Sequence, residues 1–303
     1  MKVFVAGASG TIGIPLVRAL VAAGHEVTAL TRSPGKQDEL RRLGATPALA
    51  DALDREALGA AVMTARPSHV IHQLTALPKE GPSSVSDLVA TNRLRIEGTR
   101  HLLDAAIRAG ATRFIGGSFA LLPGAETGPG NAGINEAANA TRSMESQILD
   151  ANRSGTIEGI VLRYGLFYGP TNPSTIKMIE MVRKRRFPMI RGDRGQLPFI
   201  HLDDAVSATI AALDHGSPGS VYDIVDDRAI SISEAVRVMA QNTGAPPPRT
   251  VPAWLLRLLM PYRARMLATR LPLSNAKARA ELRWRPMFAT FSDGFSKTFS
   301  QAA

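Results

Sequence analysis

Through its first half, the chain alternates short apolar runs with longer stretches in which apolar positions recur every three to four residues. Runs of about four to eight apolar residues favour buried strands, and a period of about 3.6 residues favours helices. The predicted strands are Val3–Ala6, Glu26–Leu30, Thr46–Ala50, His69–Gln73, Arg113–Gly117 and Ile157–Arg163. The predicted helices are Ile12–Ala23, Gln37–Leu43, Arg55–Thr64, Val85–Ala109 and Ala137–Asn152. This alternation predicts right-handed crossovers and an α/β fold of Rossmann type, with a doubly wound parallel sheet.

After Tyr164 the alternation ends, and loops containing glycine and proline separate shorter elements. We expect residues 1–168 to form a dinucleotide-binding Rossmann domain and residues 169–303 a smaller C-terminal α/β substrate-binding annex. Residues 200–225 are expected to return to the Rossmann sheet. The elements predicted here are helices at Ser174–Arg186, Asp203–Leu213 and Ser233–Thr243, and a strand at Val221–Val225.

Length and composition exclude several classes of protein. A chain of 303 residues, 45% of them hydrophobic, buries a large core without covalent staples. The lack of cysteine excludes disulfide scaffolds, thiolate metal sites and cysteine nucleophiles. No apolar run approaches the roughly 20 residues of a membrane span, and the N-terminus does not resemble a secretory signal. We therefore expect a cytoplasmic protein with no metal and no membrane partner.

The net charge of +10 raises the question of a nucleic-acid partner, because basic residues cluster at Arg183–Arg186. Aromatic residues do not interleave with these charges as a stacking platform for bases requires. Solvated helix faces account for the charge without such a partner, and net charge by itself predicts solubility and non-specific attraction only. We expect a small-molecule substrate rather than nucleic acid, and the sequence is compatible with a homodimer.

A glycine-rich turn carries the strongest motif, G-x-x-G-x-x-G, between the first strand and the first helix. In this position glycines allow a pyrophosphate to approach backbone N–H groups at a helix N-terminus. Nearby hydroxyls add further donors. The residues predicted to hold the cofactor here are Gly7, Ser9, Gly10, Thr11, Ile12 and Gly13.

The end of the second strand distinguishes the two nicotinamide cofactors. A carboxylate there binds the ribose 2′-hydroxyl of NAD, whereas arginine suits the 2′-phosphate of NADP. The sequence reads Thr31, Arg32, Ser33, with no acid. A guanidinium grips phosphate in bidentate fashion, so NADP(H) is favoured and NAD(H) stays an alternative.

Together these motifs resemble the extended short-chain dehydrogenase/reductase superfamily, which contains NAD-dependent epimerases and dehydratases. Further likenesses are VIHQLTA at the end of the fourth strand, LRYGLFYGP after the sixth, FIHLDDAVSATIAAL and ELRWRP. The resemblance implies additional cofactor contacts from the residues at matching positions, which are Asp51, Ala52, Leu74, Thr75, Ala76, Asn92 and Tyr164.

The chain departs from the family in one respect. The family's catalytic pair is Tyr-x-x-x-Lys on the helix after the fifth strand, and the lysine charge lowers the pKa of the tyrosine that transfers a proton. Aligning Glu145 with the glutamate that usually follows the lysine puts Ala137 and Thr141 at the two positions. The chain thus resembles an atypical member that lacks the dyad.

Three residues are candidates for the missing acid–base role. Tyr164 lies in the segment that resembles the nicotinamide loop and is predicted to donate the proton, with Ser118 orienting the substrate carbonyl. His201 is a lesser candidate because an imidazole titrates near neutrality. Each has a structural alternative: packing for Tyr164, a backbone hydrogen bond for Ser118 and a helix-start role for His201.

We therefore expect an NAD(P)-dependent oxidoreductase or an epimerase/dehydratase-like enzyme acting on a small molecule, with NADP(H) favoured. The alternative is a non-catalytic dinucleotide-binding protein that senses the redox state of the cofactor. Fold alone does not decide between the two.

Overall fold

The protein is described by a computed structural model that covers residues 1–120, 132–259 and 273–299. Strands and helices are numbered in chain order. The strands are β1 Lys2–Ala6, β2 Glu26–Thr31, β3 Thr46–Leu49, β4 His69–His72, β5 Arg113–Phe119, β6 Glu158–Tyr164, β7 Leu166–Tyr168, β8 Met189–Arg191, β9 Phe199–His201, β10 Val221–Ile224 and β11 Thr250–Pro252.

The helices alternate with these strands in the first half of the chain and cluster in the second. They are α1 Gly13–Ala22, α2 Gln37–Arg42, α3 Arg55–Ala65, α4 Val89–Arg93, α5 Thr99–Arg108, α6 Ala132–Arg153, α7 Pro173–Arg183, α8 Leu202–His215, α9 Ile232–Asn242, α10 Ala253–Leu259, α11 Ala276–Glu281 and α12 Phe291–Phe299. No helix among the described residues is long and apolar enough to cross a membrane.

Seven strands form one sheet in the order β10-β6-β5-β4-β1-β2-β3, and every neighbouring pair is parallel. The predicted doubly wound Rossmann-type sheet is confirmed. The chain moves outward from β1 through β2 to β3 and then crosses back to β4 on the other side of β1. Such a reversal creates the crevice in which ligands of open α/β sheets bind, at the carboxyl ends of the strands.

Helices cover both faces of the sheet. Helices α1 and α8 bury residues such as Leu16, Leu20 and Ala205 against one face. Helices α3, α5 and α6 cover the other face with Leu58 and Leu102 among the buried contacts, so the central strands are sandwiched between two apolar layers. A third core in the second half of the chain joins β7, β9, α9 and α12.

The predicted helix Val85–Ala109 is corrected by the structure. It is divided into a 3₁₀ turn at Val85–Leu88, α4, a π-helical turn at Leu94–Gly98, and α5. A π-turn contains one more residue than an α-turn and rotates the side chains that follow. Continuous apolar periodicity does not reveal such an insertion, because the apolar positions on either side keep their helical spacing.

Smaller differences affect element ends. Strand β5 runs two residues beyond its predicted end and includes Ser118. Helix α7 ends at Arg183, three residues before the predicted end, because Arg185 adopts a left-handed backbone with φ of 54°.

The buried carboxylate of Asp204 accepts two backbone N–H groups that directly follow the segment Glu281–Pro286. Met287 N donates at 2.6 Å and Phe288 N donates at 3.0 Å. The indole Nε1 of Trp284 donates to Ser207 Oγ at 2.9 Å. Asp204 therefore anchors the C-terminal segment on α8.

Candidate active site

The carboxyl ends of β1, β2, β4, β5 and β6 lie along one edge of the sheet, because these strands run parallel. The register pairs Ala6 with both Leu30 and His72, so β1 lies at the centre of the edge. The glycine-rich turn begins directly after Ala6 and therefore lies at the reversal point of the strand order. This is where a dinucleotide is expected to bridge the two halves of the sheet.

Packing requires two of the three glycines. Gly7 has φ of +88°, and a Cβ there would lie 2.5 Å from Gln73 O. A Cβ on Gly13 would lie 2.1 Å from Gly7 O. Gly10, in contrast, is exposed, and a Cβ there would meet one atom of the described chain, Gly7 O at 3.1 Å. The fold of the turn therefore requires glycine at Gly7 and Gly13. The lack of a side chain at Gly10 instead leaves the surface of the turn open.

The start of α1 suits a phosphate. Ile12 occupies the N-cap position without a side-chain hydrogen bond, and the first turn contains no acidic residue. The first N–H groups of a helix lack intrahelical acceptors and carry the positive end of the helix dipole. With the open face at Gly10, these groups fit the pyrophosphate of a nicotinamide dinucleotide. The residues present therefore suit this cofactor.

At the end of β2, the hydroxyl of Thr31 is buried and committed to the turn. Its Oγ1 lies 3.2 Å from Ser9 Oγ and accepts a hydrogen bond from Ser33 N at 3.2 Å. Thr31 and Ser9 therefore hold the two loops together. Arg32 and Ser33 are exposed beside them, so Arg32 is the side chain at this strand end that is available for a ligand phosphate.

Asp51 follows β3 and is exposed, and its Oδ1 accepts the N–H of Leu53 at 2.9 Å. Ala52 is buried beneath it. Asp54 caps α3 by accepting from Glu56 N and Ala57 N. Asp51 Oδ1 thus stabilises the turn after β3, and this turn places the Asp51 carboxylate at the edge of the sheet.

The segment after β4 lies across the turn from Gly7. Leu74 and Ala76 are half-buried and Thr75 is exposed. The N–H of Leu74 donates to His72 Nδ1 at 3.1 Å, and the N–H of Ala76 donates to Thr91 Oγ1 at 2.9 Å.

His72 shapes this segment, although nothing in the sequence distinguished it. Its Nε2 lies 2.9 Å from Thr99 Oγ1, so both ring nitrogens have partners. Burial lowers the pKa of His72 to about 4, and His72 is therefore neutral at pH 7.

At Ala137 and Thr141, the positions aligned from sequence with the family's dyad, neither residue offers a proton. Ala137 is fully buried, and the buried hydroxyl of Thr141 donates to Ala137 O at 2.9 Å, one turn earlier in α6. A methyl group has no acidic proton, and the threonine hydroxyl is engaged with the backbone of its own helix.

One turn further along α6, Glu145 joins Ser118 and Arg163. Ser118 Oγ donates to Glu145 Oε1 at 2.6 Å. Arg163 Nε and Nη2 donate to the two carboxylate oxygens at 2.9 Å and 2.6 Å. Hydrogen bonds to Glu145 raise the pKa of Arg163 above its usual value. The network connects β5, β6 and α6 at the edge of the sheet, and sequence reasoning used Glu145 only to align the helix.

Tyr164 lies on the other face of the sheet. Its hydroxyl accepts from Gln73 Nε2 at 2.9 Å and lies 2.7 Å from Thr209 Oγ1 on α8. Burial raises the pKa of Tyr164 to about 12. Neighbouring residues of a strand point to opposite faces, so Arg163 faces α6 and Tyr164 faces α8. The structure does not bring the predicted donor Tyr164 together with the predicted orienting group Ser118.

His201 has surroundings typical of a structural residue. Its Nδ1 accepts the N–H of Asp203 at 3.2 Å and caps α8. The ring packs edge-on against Tyr168, with centroids 5.1 Å apart, and against Phe288. Burial lowers the pKa of His201, while the charge of Asp203 partly offsets this effect. His201 is therefore held by helix capping and packing.

Comparisons with known proteins agree with this geometry. Residues 3–225 match the sequence profile of the NAD dependent epimerase/dehydratase family. The chain is 36% identical to a 3-diazoavenalumate denitrifying reductase from a Streptomyces species, over 98% of this chain and 100% of the relative. A 2-alkyl-3-oxoalkanoate reductase from Stenotrophomonas maltophilia is 24% identical over 81% of this chain and 77% of its own length.

Among solved structures, the UDP-glucose 4-epimerase of Thermus thermophilus in complex with NAD matches with a TM-score of 0.77 at 23% identity, covering 100% of both chains. The family profile spans β1 to β10 and includes the glycine-rich turn. The chain therefore belongs to the NAD dependent epimerase/dehydratase family, and it is an oxidoreductase or epimerase that uses a nicotinamide dinucleotide.

Proposed function

We propose that this protein is an NADPH-dependent reductase for a small molecule whose reduction needs no proton from the enzyme, with an aromatic diazo group as the reacting function. The observation that carries the proposal is the pair Ala137 and Thr141 at the dyad positions. Both side chains are buried; Ala137 has no acidic proton, and the hydroxyl of Thr141 already donates to Ala137 O. A carbonyl substrate would need such a proton, because its oxygen becomes a hydroxyl.

A diazo group has a different balance of atoms. A bound reduced nicotinamide supplies a hydride. The reaction of an aryl diazonium ion with one hydride gives the arene and N₂, and these two products account for every atom of the reactants. In the net reaction a C–H bond forms, the C–N bond breaks, and N₂ leaves with the electron pair of the broken bond. No proton enters the balance, so loss of the dyad does not obstruct this reaction. The 36% identical relative is a 3-diazoavenalumate denitrifying reductase, which supports the same substrate class.

The choice of NADPH rests on Arg32. This exposed guanidinium follows β2 at the edge of the sheet, where an acid would favour NADH. Lys36 is the next cation, but its Nζ is paired with Glu39 Oε2 at 2.8 Å. Arg32 is therefore the better placed of the two to bind a 2′-phosphate.

We expect Arg32→Asp to weaken NADPH binding by at least about tenfold and to reverse the preference in favour of NADH, because a carboxylate repels phosphate and accepts from a ribose hydroxyl. Dissociation constants for both cofactors, measured by calorimetry, check this expectation. Lys36→Ala serves as the matched control and should change the NADPH constant much less. Equal affinity of the unmodified protein for NADPH and NADH would contradict the assignment.

The diazo activity is tested with 4-carboxybenzenediazonium as the probe and 4-carboxybenzaldehyde as a carbonyl of similar shape. With NADPH, the diazonium salt should yield benzoate, N₂ and NADP⁺ in equal amounts, above the background without protein. The aldehyde should react at least about 100-fold more slowly, since its reduction needs a general acid. Comparable rates on the aldehyde would overturn the proposal, and no turnover of either probe despite tight cofactor binding would favour the redox-sensor alternative.

Tyr164→Phe addresses the remaining acid–base hypothesis. On the diazonium probe the rate of this variant should stay within about threefold of that of the unmodified protein. The Tyr164 hydroxyl is hydrogen-bonded to Gln73 and Thr209, and the reaction takes up no proton. A folded variant whose rate fell by about 100-fold or more would instead assign the proton transfer to Tyr164.

A further inference from the structure

The π-helical turn contains a buried arginine with one unsatisfied guanidinium nitrogen. Arg95 is 5% exposed, and its Nη1 is buried without a hydrogen-bond partner among the described residues. Asn92, one turn earlier and also 5% exposed, has a buried Oδ1 that likewise lacks a partner there. Residues three apart share a helix face, so an unused donor and an unused acceptor lie on the same face of this helix.

The two groups that interact electrostatically with Arg95 are already engaged. The charge of Glu145 acts on Arg95, but both Glu145 oxygens accept from Arg163 and one also from Ser118. His72 also lies within electrostatic range, yet its two nitrogens have the partners described above. Burial lowers the pKa of Arg95 to about 10, so Arg95 remains a cation at pH 7. A buried guanidinium nitrogen without a hydrogen-bond partner is costly, and its retention points to a ligand.

The position of this face follows from its contacts with α6. Leu88, before α4, packs with Ala137 and Ala138, and Gln147 Nε2 donates to Ile96 O at 3.2 Å. The segment from Leu88 to Ile96 thus runs alongside α6 from the first dyad position to just past Glu145. Helical side chains lean towards the N-terminus, which directs Arg95 back towards the level of Thr141, the second dyad position.

We propose that Arg95 binds the nicotinamide half of the cofactor beside Asn92, which the family resemblance already implies as a cofactor contact, and that the Arg95 charge makes the protein prefer the reduced cofactor. A ribose hydroxyl both accepts and donates, so it satisfies the arginine donor and the asparagine acceptor together. The oxidised nicotinamide ring is cationic and the reduced ring is neutral, so a fixed positive charge nearby disfavours only the oxidised form. This inference rests on nicotinamide binding and does not depend on the diazo substrate.

The test compares the dissociation constants of NADP⁺ and NADPH by calorimetry, without any substrate. The unmodified protein should bind NADPH at least about tenfold more tightly than NADP⁺. Arg95→Met should bring the ratio of the two constants close to one, and Arg95→Lys, which keeps the charge, should retain most of the preference. Arg32→Met is the matched control: it removes a cation from the phosphate end and should weaken both forms equally, leaving the ratio unchanged.

A second measurement covers the case in which Arg95→Met does not fold. Raising the salt concentration from 20 to 500 mM should weaken both cofactors through Arg32 yet leave their ratio unchanged in the unmodified protein, because a buried charge is poorly screened. A ratio near one in the unmodified protein would overturn the proposal. A preference for NADPH that disappears in high salt would also overturn the proposal. The same holds for a folded Arg95→Met variant that keeps the original ratio of the two constants.

Discussion

A Gly10→Val variant is expected to fold normally and to lose dinucleotide binding by about 100-fold or more. Gly10 is exposed, and a Cβ there lies at a tight but tolerable 3.1 Å from Gly7 O, so the turn needs a shift of only a few tenths of an ångström. The branched side chain would occupy the surface at which a pyrophosphate approaches the first N–H groups of α1. Calorimetric titration with NADPH, together with thermal unfolding followed by circular dichroism, measures both effects.

Gly13→Val is the matched control in the same turn. A Cβ at Gly13 would lie 2.1 Å from Gly7 O and 2.6 Å from Ala8 O, and these backbone atoms have no room to move away. This variant should unfold at a much lower temperature or fail to accumulate. If a folded Gly10→Val protein bound NADPH almost normally, the assignment of the turn to the pyrophosphate would be wrong.

Replacing Glu145 by alanine is expected to lower the free energy of unfolding by about 3 kcal/mol. Glu145 is 5% exposed and accepts three hydrogen bonds from Ser118 and Arg163. Removing one partner of a buried ion pair leaves the other charge without compensation, at a cost of about 3–5 kcal/mol. The lower end applies because the Arg163 side chain is 29% exposed and can recover some hydration. Urea denaturation at constant pH measures this difference.

Two comparisons identify the source of the loss. Glu145→Gln keeps the shape and part of the hydrogen bonding, so its effect should be about half as large. Asp38→Ala removes the partner of Arg41 on the exposed face of α2, where an ion pair contributes less than about 0.5 kcal/mol. Equal losses from Glu145→Ala and Asp38→Ala would show that the Ser118–Glu145–Arg163 network does not stabilise the fold.

The positions of the glycine-rich turn and of Arg32 could be predicted because their information is local in the chain. Gly7, Gly10 and Gly13 lie in one turn between a strand and a helix, and Arg32 directly follows the neighbouring strand. Parallel strands bring their carboxyl ends to one edge, so the alternation of elements was sufficient to bring these residues together. The absence of a tyrosine–lysine pair on α6 is local as well, since the two positions lie four residues apart.

The acid–base candidates show where such reasoning fails. Ser118 and Tyr164 both lie at strand ends near the same edge, which made them a plausible pair. Their side chains, however, lie on opposite faces, because Ser118 pairs in register with Arg163 and Phe119 with Tyr164. The register of neighbouring strands depends on contacts between distant parts of the chain, and a shift of one residue exchanges the two faces.

The amino-acid order was therefore enough to determine the Rossmann-type sheet and the position of the glycine-rich turn between β1 and α1, because each depends on periodicity or spacing within a short segment. The surroundings of individual polar side chains depended on packing between distant elements. Arg95 illustrates this difference: it lies in a segment predicted as one continuous helix, yet a π-turn and the contact with α6 bury its guanidinium within electrostatic range of Glu145. Burial results from the approach of α6, some fifty residues along the chain, and helical periodicity carries no information about that approach.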